Sequence, residues 1–165
     1  MTSDTYRRYV NALAIVASAA FAGGNLFIGL SMGSYWMRLD PLVFMQGFWP
    51  QFTTFLYTIM PLFLLTLAGL VLSARLDWEE PRLKRLWLFA IGLYVATALI
   101  TLGFHMPENL RLRDAIYTYQ EAAAARSYWL LGHIPRVILA FGIPLVALRA
   151  VFERKARVAA IDGAA

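Results

Sequence analysis

The stretch WLLGHIPRVILAFGIPLVAL, residues 129–148, is apolar over the length of a membrane span and yet contains His133 and Arg136. An α-helix needs about 20 apolar residues to cross the hydrocarbon core of a bilayer. Three further stretches of similar length contain no Asp, Glu, Lys or Arg, namely residues 10–32, 51–74 and 86–106. The sequence therefore predicts an all-α integral membrane protein in which one domain, residues 1–165, forms a four-helix bundle.

The composition supports a membrane protein. Hydrophobic residues make up 60% of the chain and charged residues 15%, whereas soluble domains contain about 25% charged residues. Cysteine is absent, which excludes disulfides, thiolate metal sites and cysteine nucleophiles. The sequence predicts no metal site.

Basic residues are distributed unequally between the two ends of the predicted spans. Those on the side of the chain termini are Arg7, Arg8, Arg75, Arg82, Lys84, Arg85, Arg149, Arg154, Lys155 and Arg157, and those at the opposite ends are Arg38, Arg111, Arg113 and Arg126. Cytoplasmic loops carry the excess of Lys and Arg, so both termini are predicted to be cytoplasmic, as in a protein of the bacterial inner membrane. The same distribution accounts for the net charge of +5 without nucleic acid as a partner.

The connections between the spans are predicted to lie at the membrane surfaces. Asp40-Pro41 and Trp49-Pro50 punctuate residues 34–50, which are expected to form a broken segment on the outer surface. Residues 108–127 are expected to form an outer amphipathic helix or lid, and residues 75–85 a solvated inner turn. The tryptophans lie near predicted span ends, where indole rings favour the headgroup level; they are Trp36, Trp49, Trp78, Trp87 and Trp129.

The fourth predicted span carries the residues best suited to chemistry. A charged side chain at membrane depth costs roughly 2.5 kcal/mol or more, so it normally faces a protein interior or a ligand. Trp129, His133 and Arg136 are spaced so that they share one helical face. Histidine accepts a proton near neutral pH, and arginine holds an oxyanion through several donors. These groups suit the deprotonation of an acidic carbon and the stabilisation of the enolate or phenolate that forms.

Other polar residues are expected at a similar depth, at the outer ends of the spans. We predict one site in which the catalytic residues are His133, Arg136, Asn109 and His105 and the substrate-binding residues are Trp129, Asn25, Pro107 and Tyr35. Structural roles are the alternative. Arg136 could extend to the headgroups, His133 could hydrogen-bond a neighbouring helix, His105 could be interfacial and hydrated, and Asn25 could bond another helix.

Two short motifs resemble a known family. Pro107-Glu108-Asn109-Leu110 and Trp129-x-x-x-His133-x-x-Arg136, with four spans and a glycine-rich first span, resemble the anthrone oxygenase-like membrane proteins. Some members of that family are implicated in oxidising polycyclic anthrones to anthraquinones. The resemblance implies a hydrophobic aromatic or polyketide-like substrate and an oxygenase reaction that needs no metal, with His133 as base and Arg136 and Asn109 as oxyanion partners. His105 and Pro135 depart from the expected family pattern.

Two other functions remain open from the sequence. His105 and His133, near one membrane face, could be axial ligands of a haem, although no haem-attachment motif occurs. A lipid-binding or accessory membrane subunit without enzymatic activity is the third hypothesis. The expected partners are a hydrophobic small molecule and membrane lipid. The spacing Gly29-x-x-x-Gly33 predicts close packing between helices, and the glycine-rich face of the first span offers a surface for a homo-oligomer.

Overall fold

Four long helical rods joined by short turns make up the chain. The computed structural model describes the backbone of residues 3–162 and the side chains of residues 4–156, and these residues contain no strand. The helices are α1 (Ser3–Phe27), α2 (Gly33–Arg38), α3 (Pro41–Leu76), α4 (Pro81–Ile100), α5 (Met106–Arg113) and α6 (Tyr119–Asp162). Two π-helical segments, Ile28–Met32 and Thr101–His105, join α1 to α2 and α4 to α5 without a break in the rod.

The prediction of four membrane-spanning helices is confirmed at the level of length and apolarity. The rods that are long and apolar enough to cross a membrane are Asp4–Arg38, Pro41–Leu76, Pro81–Arg113 and Tyr119–Ala156. Which side of the membrane holds the termini stays a prediction. The terminal residues 1, 2 and 163–165 and the side chain of Arg157, on which it partly rests, lie outside the described residues.

Helix α3 passes through the outer segment that was predicted to be broken. Asp40 caps this helix by accepting hydrogen bonds from two backbone N–H groups of its first turn, at 2.9 and 3.4 Å. The helix then continues through Pro50. An interior proline costs about 3 kcal/mol, and the burial of Phe44 and Phe48 on one face of the same helix offsets that cost. The expectation of a break at Trp49-Pro50 was therefore wrong.

The outer connection is also shorter than predicted. Helix α5 extends to Arg113 and α6 begins at Tyr119, so only residues 114–118 form a turn. Within it, the Tyr117 hydroxyl donates a hydrogen bond to the Glu108 carboxylate at 2.7 Å. Burial raises the pKa of Tyr117, and the bond to Glu108 raises it further, so the phenol remains a donor. This bond ties the turn to the start of α5.

Three of the tryptophans are buried between the helices of the bundle. Trp36, Trp87 and Trp129 each expose 3% or less of their surface. Each indole N–H has a partner within the protein, at Gln51, Asp77 and Asn109 respectively, which removes the need for contact with the wet interface. The depth of these three residues relative to the headgroups stays a prediction, but their rings contact protein and not lipid.

The inner turn contains a buried carboxylate, contrary to the expectation of a solvated connection. Asp77 exposes 2% of its side chain and accepts hydrogen bonds from Arg7 and Arg154, each at 2.6 Å. It also accepts the indole N–H of Trp87 at 2.8 Å. These bonds join α1, α4 and α6 at the end of α3. The inner end of the bundle is thereby fixed, and the outer half can enclose a cavity.

Candidate functional site

A cavity of about 390 Å³ lies in the outer half of the bundle, within the size range of small-molecule sites. Its wall is mostly aromatic and aliphatic, and α3 supplies more of it than any other helix, including Phe48, Phe52, Phe55 and Ile59. The polar groups of the wall are few: Thr101, Asn109, His133 and Arg136, with the indole of Trp129. A cavity of this composition suits a hydrophobic ligand that carries a polar group on one side.

Arg136 is turned into the bundle and does not extend to the headgroups. It exposes 8% of its surface, and its Nη2 donates a hydrogen bond to Asn25 Oδ1 at 3.0 Å. Asn25 is fully buried, and its own amide N–H₂ donates to the Phe21 carbonyl at 2.8 Å. Asn25 therefore lines no open surface but connects α1 to Arg136.

The charge of Arg136 has no counter-ion among the side chains that the structure describes. The ion pairs of these residues lie at the inner end or on the outer surface, and none involves Arg136. Its Nε is buried and makes no hydrogen bond. An unpaired buried cation is costly in free energy, so an anion bound beside this guanidinium would be stabilised.

His133 has a defined tautomer because of its one hydrogen bond. Nε2 lies 2.8 Å from the backbone carbonyl oxygen of Asn25. A carbonyl can only accept, so Nε2 carries the proton and Nδ1 carries the lone pair. Nδ1 is buried and no donor reaches it within the described side chains. The imidazole is thus held in the form that can take up a proton.

Trp129 orients the groups on either side of it. Its ring stacks on His133 at a centroid distance of 5.0 Å and an interplanar angle of 12°. Its Nε1 donates to Asn109 Oδ1 at 2.7 Å, so the amide oxygen is occupied. The amide nitrogen of Asn109 is left with only the Met106 sulfur at 3.9 Å, a weak acceptor. Asn109 therefore presents a donor to the cavity that it lines.

His105 lies behind this layer and does not line the cavity. Its ring is fully buried, with the Trp129 ring at 4.8 Å and the His133 ring at 5.7 Å between centroids. Neither of its nitrogens makes a well-formed hydrogen bond to another described residue. His105 was predicted to be a catalytic residue that lines the same cavity as His133, and that placement is corrected, because its ring lies outside the cavity wall. The alternative of a hydrated ring does not hold either, because the side chain is fully buried.

Two of the predicted substrate-binding residues do not belong to the cavity wall. Tyr35 exposes about half of its surface and Pro107 is exposed, and neither lines the cavity. Each is the sequence neighbour of a buried residue, Trp36 or Glu108, and a step of one residue along a helix turns a side chain to a different face. The assignment of Tyr35 and Pro107 to the cavity is corrected accordingly.

The aromatic wall on α3 was missed by the sequence analysis. Phe48, Phe52, Phe55 and Ile59 recur at spacings of four, three and four residues, which is the signal for one helical face. The signal was present, but the supposed break at Pro50 divided the stripe into two parts.

The cap that Arg126 provides at the end of α2 was also missed. Its Nη1 donates hydrogen bonds to the carbonyls of Trp36 and Leu39 at 2.8 and 2.7 Å.

The two histidines do not fit a bis-histidine haem. Only His133 lines the cavity, and the His105 ring lies outside its wall. Nε2 of His133 is bonded to Asn25, and Trp129 packs against both imidazoles. The residues described in the structure also contain no cluster of three or more His, Cys, Asp or Glu side chains that could hold a metal ion.

Glycine at position 29 allows α1 to approach His133. A Cβ at Gly29 would lie 2.9 Å from Cδ2 of the imidazole, and one at Gly33 would lie 2.8 Å from Leu130. The close helix packing predicted from the Gly29-x-x-x-Gly33 spacing is therefore found within the chain.

We expect Gly29→Ala to displace the His133 ring and to strain the packing by about 1 to 3 kcal/mol. Gly23→Ala is the matched control, since a Cβ there meets nothing within 4 Å on the same rod. The measurements are the unfolding temperature in detergent and the nuclear magnetic resonance signal of the His133 ring N–H. If Gly29→Ala matched Gly23→Ala in both measurements, the close approach of α1 would be wrong.

Comparison with known proteins found no matching family model, no matching curated protein and no matching solved structure.

Proposed function

We propose that the protein is a small integral membrane enzyme of the anthrone oxygenase-like type, which acts on a hydrophobic aromatic or polyketide-like molecule held in the outer cavity. The observation that supports this most strongly is the unpaired Arg136, buried at the wall of an otherwise apolar space beside a neutral His133. The membrane is proposed to be a bacterial inner membrane, with both termini in the cytoplasm.

The charge balance of the cavity supports an anionic intermediate. A buried cation without a partner is unfavourable, and an anion that forms beside it is stabilised more strongly than in water. The guanidinium of Arg136 offers donors in a planar fork, and the amide nitrogen of Asn109 offers another. An enolate or phenolate oxygen bound between them would satisfy the groups that the protein leaves open.

The proposed reaction uses dioxygen as the second substrate. Nδ1 of His133 removes a proton from the acidic CH₂ carbon of an anthrone, and the negative charge moves to the carbonyl oxygen, which lies beside Arg136. The carbanion carbon then forms a bond to dioxygen, and the imidazolium returns its proton to the distal oxygen to give a hydroperoxide. The hydroperoxide then loses water: the carbon gives up its remaining hydrogen, the O–O bond breaks, and the oxygen that stays on the carbon becomes that of a ketone. One anthrone and one dioxygen thus yield one anthraquinone and one water.

A lipid-binding or accessory subunit is the second candidate. The same apolar cavity suits a ligand that is held without being changed. The haem alternative is not supported, because His105 is separated from the cavity that His133 lines.

The proposed function is tested with proteoliposomes that contain the protein and anthrone. We expect anthraquinone to form and dioxygen to be consumed in equal amounts, at a rate above that of empty liposomes, which report autoxidation alone. A rate equal to that of empty liposomes, with a hydroxylated aromatic probe still bound in the cavity, would contradict the enzyme and favour the binding protein.

A further inference from the structure

The ends of the cavity and its side differ in how tightly they are packed. At its outer end, Trp36, Phe44, Phe48 and Trp129 pack ring against ring, with centroid distances of 5.5 to 5.7 Å. These rings belong to a buried cluster that continues into Leu112, Ala122 and Ala125. Water on the outer surface is therefore separated from the cavity by a closed aromatic layer.

The inner end is closed as well. The rings of Phe63 and Tyr94 stack at 4.5 Å, and the Tyr94 hydroxyl donates to the Phe63 carbonyl at 3.3 Å. Phe21 packs on Phe63 from α1 at 5.7 Å. These contacts join α3 to α4 on the inner side of the cavity, so they block the path of a ligand from the inner end of the bundle.

Between these two closures, the cavity wall includes residues that face outward. Met60 of α3 and Leu102 of the π-helical segment after α4 both line the cavity, yet they expose 45% and 66% of their surface. A residue can do both only where the wall opens. The outer limit of this opening is marked by Arg113, whose guanidinium lies 5.5 Å from the ring centre of Trp49.

We infer that the ligand reaches the cavity sideways out of the bilayer, through an opening between α3 and α4 whose width is set by Met60 and Leu102. This inference rests on the proposed function for the nature of the ligand, a hydrophobic aromatic molecule dissolved in lipid. Leu102 lies eleven residues before Arg113, or about 16 Å along a helix at 1.5 Å per residue. That depth places the opening in the hydrocarbon of the outer leaflet, where such a ligand accumulates.

The π-helical segment Thr101–His105 gives the opening its shape. A π-turn inserts one extra residue into a helix and is frequent at functional sites. Here it directs Thr101 into the cavity wall and Leu102 to the edge of the opening. Substituents at position 102 should therefore determine which ligands pass, and Leu102 is a specificity-determining residue of the proposed reaction.

The absence of cysteine allows a reversible test of this route. Leu102→Cys is labelled with a bulky alkyl methanethiosulfonate, and Leu99→Cys is the matched control. Leu99 lies three residues away on the same rod and is exposed to 63%, close to the 66% of Leu102, but it does not line the cavity. The probe is 1-hydroxypyrene in liposomes, and its binding is followed by energy transfer from the tryptophans of the cavity wall.

We expect the label at position 102 to slow both association and dissociation of the probe several-fold, because it narrows the passage that the probe must cross in either direction. A reductant that removes the label should restore both rates, and the label at position 99 should change neither. Probe binding with unchanged rates at labelled position 102 would overturn the route alone. If the unlabelled protein bound no probe, the proposed function would be overturned together with this inference.

Discussion

His133→Gln should reduce the turnover of anthrone by on the order of 10²- to 10⁴-fold, which is the contribution of a positioned general base. Glutamine can still donate a hydrogen bond toward the Asn25 carbonyl that His133 contacts at 2.8 Å. It cannot take up a proton at neutral pH. His133→Ala should be at least as damaging, because it removes the base and also leaves that carbonyl without its side-chain donor.

The control for this variant is binding of 1-hydroxypyrene, which does not require proton abstraction. We expect His133→Gln to retain the affinity of the wild-type protein within a few-fold, and its unfolding temperature in detergent shows that equal amounts of folded protein are compared. Wild-type turnover in His133→Gln would exclude the imidazole as the base.

Arg136→Lys should impair both binding and turnover although the charge is conserved. Lysine has no planar fork, so it cannot keep the bond to Asn25 Oδ1 at 3.0 Å and still reach an oxyanion in the cavity. Loss of an oxyanion donor typically lowers kcat by on the order of 10²- to 10³-fold, and we expect a decrease of that order. The affinity for 1-hydroxypyrene should decrease in parallel, most strongly at pH values at which the probe is ionised.

Arg38→Lys is the matched control, since Arg38 is exposed at the end of α2. It should leave turnover and binding unchanged. If Arg136→Lys were also silent at equal folded protein, then Arg136 would act only as a charge that lysine can replace, and its role with the oxyanion would be wrong.

The sequence predicted the rods well because the signal for a membrane span is local. A continuous apolar stretch of sufficient length has few alternatives in a bilayer, and the four stretches all lie within the observed rods. The ends were predicted less well. Pro50 was interpreted as a break, but it lies within α3, where neighbouring rods hold the backbone in place.

The site was predicted in part, for a similar reason. The spacing of Trp129, His133 and Arg136 indicates one helical face, and all three line the cavity. The position of His105 behind Trp129 depends on how α5 and α6 pack, which no local pattern encodes. The contacts of Asp77 with Arg7 and Arg154 join residues that are 70 and 77 positions apart, so only the folded chain reveals them.

The central claim is that Arg136 binds the oxyanion of a hydrophobic ligand and His133 accepts its proton. A crystal structure of the protein, crystallised in lipid with 1-hydroxypyrene, tests this claim most directly. We expect the probe to lie in the outer cavity against the aromatic wall of α3, with its oxygen within hydrogen-bonding distance of the Arg136 guanidinium. Density for the probe at another position, or an Arg136 side chain that extends to the headgroups with the cavity collapsed, would contradict the account.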